Sequence, residues 1–329
     1  MNTLLTIPGL GEVARDALIA IDATSDGRFR VGADGVEHVL TPADRRVEFV
    51  AFATHTLAHV RSLLGDGAYY PVQPVRVDRP VTAVLMDLDG TTVHSEAFWI
   101  WMIEQTTASL IDNPRFTLDD ADLPFVAGFS VSEHLQYCIT KYCPDASMAE
   151  ARRVYFQHAH HQMREILAGR GRVNAFVPAP GVKAFLQTLK RRGVRIAVVT
   201  SGLHEKAWPE LVAAFRAMDL GDPRRFYDAI ITGGFPLRDG EPGTLGELSP
   251  KPHPWLYAEA CRLGLGIPVD ERHHVVGIED SGAGVCAIRL AGFTTLGMAG
   301  GNIVESGTRS ICERLCGSFD EVLAFIDGA

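Results

Sequence analysis

Residues 81–96 read VTAVLMDLDGTTVHSE. The first six, Val81 to Met86, form a largely apolar run of the kind that makes a strand buried on both faces of a parallel sheet. Directly behind them stand Asp87 and Asp89, separated only by Leu88 and followed by Gly90, Thr91 and Thr92. Two carboxylates crowded at the end of an apolar strand disfavour joint ionisation unless a cation or a shared proton relieves them. An acidic surface turn uses the same residue types, since Asp and Gly are ordinary turn formers. The two readings part on whether the rest of the chain supplies what the pair lacks.

Working outward, residues from Gly181 onward alternate between helical and strand periods. Helices are expected at Val182–Arg192 (closed by Gly193), Lys206–Met218, Pro254–Leu263 and Gly282–Ala291. Strands are expected at Val194–Val199, Tyr227–Ile231, His274–Ile278 and Phe293–Leu296. Such alternation predicts an α/β fold, a Rossmann-like parallel sheet with helices on both faces. Residues 81–86 are its first strand. Between the first strand and the second, Ser95 to about Pro180 is helical in pattern, with capping boxes at Ser130–Glu133 and Ser147–Glu150. The second box opens a helix running to about Ala168, with Gly169 as its C-terminal stop. This stretch reads as a helical insertion after the first core strand.

Ligands of such sheets bind beyond the carboxyl ends of the strands, and three further elements carry polar groups: two strand ends and one proline-rich loop. The strand RIAVVT ends at Thr200, with Ser201 and Gly202 behind it, where a hydroxyl and free amides can meet a phosphate oxygen. Lys251 lies in SPKPHPW, stiffened by Pro250, Pro252 and Pro254. The strand HVVGI runs into Glu279 and Asp280, then Ser281 and Gly282. Together these form a coherent site. Asp87, Asp280 and the main-chain carbonyl of Asp89 offer hard oxygen ligands for Mg²⁺. Lys251 neutralises a transferring group and Thr200 orients it. Asp87 is then placed to attack phosphorus, and Asp89 to protonate the leaving oxygen and deprotonate water.

DLDGT, VVTSG, the lysine of SPKP and GIEDSGAG stand in the order and context of the haloacid dehalogenase superfamily, which residues 81–329 resemble. The helical insertion resembles the small cap domain of the beta-phosphoglucomutase-like branch. The resemblance implies a Mg²⁺-dependent phosphatase acting on a small phosphorylated metabolite, a sugar phosphate for example, through an aspartyl-phosphate. It implies catalytic roles for Asp87, Asp89, Thr200 and Lys251, and substrate contacts from Thr200, Ser201, Gly202 and Lys251. Metal binding falls to Asp87, Asp89 and Asp280, with Glu279 a direct or water-mediated ligand. The expected division is residues 1–80 as an accessory region, 81–94 with 181–329 as the α/β core, and 95–180 as the cap. One departure is His94, where the branch commonly has an aspartate. Another is the Gly/Pro-rich insertion 233–250, which runs into Lys251 and reads equally as a substrate border or a surface elaboration.

Other chemistries stay open at this stage. A phosphomutase needs a second, cationic phosphate site, and Ala127 and Val131 stand where basic residues are expected around Gly128 and Ser130. Carbon–phosphorus cleavage needs a cap lysine able to form a Schiff base, and Lys141 is the only lysine between residues 93 and 180. Metal-free dehalogenation has no use for Asp89 or a second acidic pair. A catalytically silent phosphate-binding module is the reading from outside enzymology.

With 329 residues the chain has room for about two domains. A formal net charge of -9 argues against a nucleic-acid partner. No apolar run approaches the roughly 20 residues needed to span a bilayer, and MNTLLTIPGLGEVARDAL lacks the basic start of a secretory signal. Six cysteines show no zinc or CxxC spacing, which predicts reduced thiols and a cytoplasmic location. In residues 1–80, helical spacing is read at Leu10–Ile21 and Thr41–Leu64, the latter capped by Thr41, with a hairpin over Asp26–Leu40 and a Pro-rich linker after it. His158 and His161, one turn apart, read as a solvated helix face, and His253, His273 and His274 as structural. His204 is a candidate substrate contact, and Cys312 with Cys316 fits one helix face.

Overall fold

The computed structural model describes residues 4–61, 67–122, 131–233 and 249–328. The chain divides into two compact units, one of residues 1–92, 179–204 and 224–329, the other of residues 93–178 and 205–223.

In the first unit, the described residues between 4 and 71 contain seven strands. β1 (Leu4–Ile7) and β2 (Gly11–Ala14) pair as a hairpin. β3 (Ile19–Ile21), β4 (Val36–Thr41), β5 (Val47–Phe52), β6 (Thr56–Val60) and β7 (Ala68–Pro71) form an antiparallel sheet in that order. Among the described residues, strands therefore stand where the two helices are expected, for a physical reason. The β4–β5–β6 strands bury both faces: Val47, Phe49, Ala51, Ala58 and Val60 enter one apolar cluster, and Val50, Phe52 and Leu57 belong to another. A strand apolar on both faces loses its period-2 signature, and Val47, Val50 and Ala51 then mimic helical spacing. At Leu10–Ile21, Gly9 (φ 80°) breaks the chain into the β1–β2 hairpin. A Cβ at Gly9 would fall on the Val72 carbonyl, so only glycine fits. Thr41 caps no helix; its hydroxyl donates to the Val47 carbonyl at 2.8 Å. The strand after Gly35 pairs with Ile19–Ile21 rather than with residues 26–31.

The parallel sheet contains β8 (Ala83–Asp87), β11 (Arg195–Val199), β12 (Ala229–Ile231), β13 (Val275–Glu279), β14 (Thr294–Met298) and β15 (Arg314–Cys316), ordered β12-β11-β8-β13-β14-β15. All five pairings are parallel. β8 is buried along its whole length, as its apolar composition requires. Helices Val182–Arg191, Trp255–Glu259, Gly282–Leu290 and Phe319–Asp327 pack around the sheet. This is the α/β, Rossmann-like class expected. β15 and the helix after it went unread, and the cysteine pair is not on a helix: Cys316 ends β15 and Cys312 follows a 3-10 turn. All six cysteines are free and buried.

The second unit holds helices Glu96–Leu110, Val131–Tyr142, Met148–Leu167 and most of His204–Met218, with a two-residue pairing of β9 (Val93–His94) and β10 (Val177–Pro178). Ser147 caps its helix, its hydroxyl accepting from the Glu150 amide at 3.1 Å. Gly169, at φ 76°, follows the C-terminal Ala168 of that helix. Ser130 and residues 126–130 generally lie outside the described residues, as does most of the 233–250 insertion. Among the described residues no helix is long and apolar enough to cross a membrane.

Candidate active site

The sheet register brings the motif residues together. Asp87 pairs with Val199 on one side, and Met86 pairs with Ile278 on the other. Thr200 and Glu279, each one residue further along, must therefore flank Asp87 at the carboxyl edge. Asp87 is 4% exposed and Glu279 fully buried.

Lys251 reaches in from its proline-bracketed loop, its side chain 7% exposed. Its Nζ donates to Asp87 Oδ1, to Glu279 Oε1 at 2.6 Å and weakly to the Val199 carbonyl at 3.4 Å. The Lys251 amide donates to Ser201 Oγ at 3.1 Å, which joins the lysine loop to the Thr200 loop. Thr200 Oγ1 donates to Asp89 Oδ2 at 3.2 Å and accepts from the Gly202 amide at 2.9 Å. Asp280 Oδ1 accepts from Thr91 Oγ1 at 3.1 Å. Gly90, at φ 90°, carries the chain past Asp280; a Cβ there would fall on the Asp280 carboxylate. Every motif residue of the sequence reading is thus found at one sheet edge.

Glu279 holds a network that sequence reasoning missed. Its Oε2 accepts from the Asp280 amide (3.1 Å), the Ser281 amide (2.9 Å) and Ser281 Oγ (2.9 Å). Its Oε1 accepts from Lys251 and from the Tyr257 hydroxyl at 3.0 Å. Tyr257, wholly buried, looks in the sequence like any apolar helix residue, and nothing marks it out. Ser281 was legible as a helix cap: its Oγ accepts from the Gly284 amide at 3.1 Å.

Asp87, Glu279 and Asp280 each place a carboxylate oxygen within 4.8 Å of the others. Three carboxyl groups thus gather around the ammonium of Lys251. Burial, reinforced by Glu279, pushes the Asp87 carboxyl well above the ordinary range despite Lys251. Burial and Glu279 likewise push Asp280 up to about 7. Burial opposes the charge on Lys251, but Asp87 and Glu279 more than compensate and hold its ammonium firmly protonated. Among the described residues, Asp87 Oδ2 is buried with no hydrogen-bond partner. A buried carboxylate oxygen without a donor, in a cluster short of positive charge, has the chemistry of a hard-cation ligand.

The model of the haloacid dehalogenase-like hydrolases matches residues 81–292. The chain belongs to this family. A protein named phosphoglycolate phosphatase, plasmid, from Cupriavidus necator is 28% identical over 222 residues, covering 66% of this chain and 80% of that protein. Among solved structures, a predicted phosphoglycolate phosphatase from Haemophilus somnus 129pt superposes with TM-score 0.54 at 20% identity, covering 75% of this chain and 98% of that one. CbbY from Rhodobacter sphaeroides, in complex with phosphate, gives 0.53 at 23% identity, covering 75% and 99%. At these identities the structures establish a shared fold. The family match begins at Val81, so the antiparallel sheet of residues 19–71 lies outside it.

Of the histidines weighed from sequence, His253 accepts or donates one bond with the Tyr70 hydroxyl (2.8 Å), and His274 Nδ1 meets the Asp78 and Pro80 carbonyls. His158 bonds the Ser109 hydroxyl at 2.8 Å, as befits a helix-face residue. His204 is half-buried at the start of its helix.

Proposed function

We propose that this hydrolase is a Mg²⁺-dependent phosphatase of small phosphorylated metabolites that works through an aspartyl-phosphate on Asp87. The observation that carries this is the division of labour on Asp87: one oxygen is held by Lys251, and the other, beside Glu279 and Asp280, is buried without a partner among the described residues.

Asp87 and Asp280, with the Asp89 main-chain carbonyl, would hold the ion, which supplies positive charge against the carboxylates and the phosphate. Glu279, already accepting five hydrogen bonds, suits water-mediated contact and the anchoring of Lys251. In the first half-reaction an Asp87 oxygen attacks phosphorus and the P–O bond to the leaving group breaks. Asp89 gives its proton to the departing oxygen. Thr200, whose hydroxyl rests on Asp89, turns to a phosphate oxygen, and Ser201 and Gly202 line the same loop. In the second half-reaction Asp89 takes a proton from water, which attacks phosphorus and releases Asp87 and inorganic phosphate. Lys251 offsets negative charge in both steps.

The substrate class follows the site and the Cupriavidus relative: 2-phosphoglycolate and sugar phosphates head the panel. Residues 95–180 are assigned as the cap and 1–80 as an accessory region, and the six unpaired thiols favour the cytoplasm. Carbon–phosphorus cleavage is disfavoured because Lys141 is committed elsewhere. Its Nζ bonds the fully buried Asp122, which also accepts from the Tyr137 and Tyr142 hydroxyls. Hydrogen bonding to Asp122 raises the Lys141 pKa, the opposite of what imine formation requires. The test is phosphate release from that panel with Mg²⁺ and with excess chelator. Release that needs Mg²⁺ supports the reading; no release from any member, or release untouched by chelator, overturns it.

A further inference from the structure

The residues that hold the Lys251 loop come in part from outside the family match. Lys251 is followed by Pro252, His253, Pro254 and Trp255. On one side the loop is tied to the phosphate-binding turn through the Lys251 amide and Ser201. On the other it meets Tyr70, from β7 at the edge of the antiparallel sheet. The Tyr70 hydroxyl shares a hydrogen bond with His253 Nδ1 at 2.8 Å and accepts from Trp255 Nε1 at 3.1 Å. The Tyr70 ring meets both the imidazole and the indole edge-on, with centroids 5.9 and 6.0 Å away. One side chain thus ties down two of the four residues after Lys251.

The sheet that presents Tyr70 is itself fixed to the core. Arg289, 3% exposed, donates to the Gln73 carbonyl at 2.7 Å and to the Gly9 carbonyl. It sits on the helix Gly282–Leu290, which begins directly after Asp280 and Ser281. Val285, Cys286 and Leu290 of that helix share one apolar cluster with Ile7, Val47, Phe49 and Val72. The antiparallel sheet therefore braces the helix behind the acidic loop and grips the lysine loop.

We propose that Tyr70 is a positioning residue for Lys251, and that the N-terminal sheet acts in the reaction by holding the lysine loop against the Asp87–Glu279 pair. This rests on the phosphatase reading for its kinetic consequence but not for its structural one. Lys251 must meet two carboxylates at once in a buried site, so a small shift of its backbone removes at least one contact. Misplacement of about 1 Å by a residue remote from the chemistry costs up to roughly a hundredfold in rate. Tyr70→Phe keeps the ring and removes both hydrogen bonds, and roughly a tenfold loss of kcat with KM little changed is expected.

The experiment has two arms on the full-length protein. In the first, kcat and KM for p-nitrophenyl phosphate with Mg²⁺ are measured for wild type, Tyr70→Phe, His253→Ala and the double variant. Because both residues act through one loop, the double variant should lose no more than the worse single one. In the second, wild type and Tyr70→Phe are treated with an amine-reactive ester, and modification of Lys251 is timed by peptide mass spectrometry. Buried Lys251 should react slowly in wild type and several-fold faster in Tyr70→Phe, while other lysines keep their rates. Unchanged kcat, additive losses, or lost kcat with unchanged Lys251 labelling would each overturn the proposal. If wild type releases no phosphate at all, the phosphatase reading falls and the labelling arm alone decides: faster Lys251 modification upholds the positioning role, unchanged modification ends it.

Discussion

Asp280→Asn should make the metal-free protein more stable while taking away its response to Mg²⁺. Asp280 sits beside Glu279 and Asp87, and burial with Glu279 raises its carboxyl from the ordinary 3.8 to about 7. A folded-state value raised for an acid means that the folded protein binds the proton more tightly than the unfolded chain does. The destabilisation from ionising Asp280 therefore grows as pH rises from 3.8 and is fully present above about 7. The shift corresponds to roughly 4 kcal/mol at pH 8 and roughly 2 kcal/mol at pH 5. Asparagine keeps the shape and an oxygen for the Thr91 hydroxyl, now at 3.1 Å. The expected gain is about 2–4 kcal/mol at pH 8, shrinking by about 2 kcal/mol at pH 5. Urea unfolding in excess chelator at the two pH values measures both. Wild type should then gain about 2.7 kcal/mol from Mg²⁺ at a hundred times its Kd, and Asp280→Asn almost nothing. An Asp280→Asn protein less stable than wild type at pH 8 without metal, or one still stabilised by Mg²⁺, would refute this view of the acidic cluster.

Three further outcomes are expected. Asp89→Asn should slow esters with poor leaving groups by about a hundredfold or more, and p-nitrophenyl phosphate far less in its first half-reaction, which burst kinetics resolves; equal loss in that step for all leaving groups would remove Asp89 from the acid role. Gly90→Ala should abolish turnover and Mg²⁺ binding together, because φ 90° and the Asp280 carboxylate leave no room for a Cβ; calorimetry with Mg²⁺ reads the binding. Lys141→Met should lower the unfolding midpoint through loss of the Asp122 contact yet leave the protein's phosphate release largely intact; borohydride with a carbonyl phosphonate should trap no adduct on wild-type Lys141.

The site was legible because all of its parts but Lys251 stand at the ends of parallel strands. A strand buried on both faces must be apolar, so a polar residue closing one stands out, and register then aligns those ends without further information. Asp87, Thr200, Glu279 and Asp280 were found in this way, and Lys251 through its prolines. What the sequence could not show were partners whose residue type is ordinary for its element. Tyr257 fills a buried helix position and Tyr70 an edge strand, and only the fold turns their hydroxyls to Glu279 and His253. The N-terminal sheet was misread because burial of both faces by separate clusters erased its alternation. β15 is three residues, Arg314–Cys316, too short for any period to show.

The central claim is that the carboxylate of Asp87 carries the phosphoryl group, and it can be examined on the protein itself. A phosphate ester found active in the panel is mixed with enzyme and Mg²⁺, quenched in acid within the first turnover, and digested for peptide mass spectrometry. The expected result is one phosphoryl group on Asp87, rising and falling ahead of free phosphate, and absent from Asp87→Asn, which should also release no phosphate. Free phosphate formed at full rate by Asp87→Asn, or by wild type with no phosphoryl group on Asp87 at any time, would contradict it.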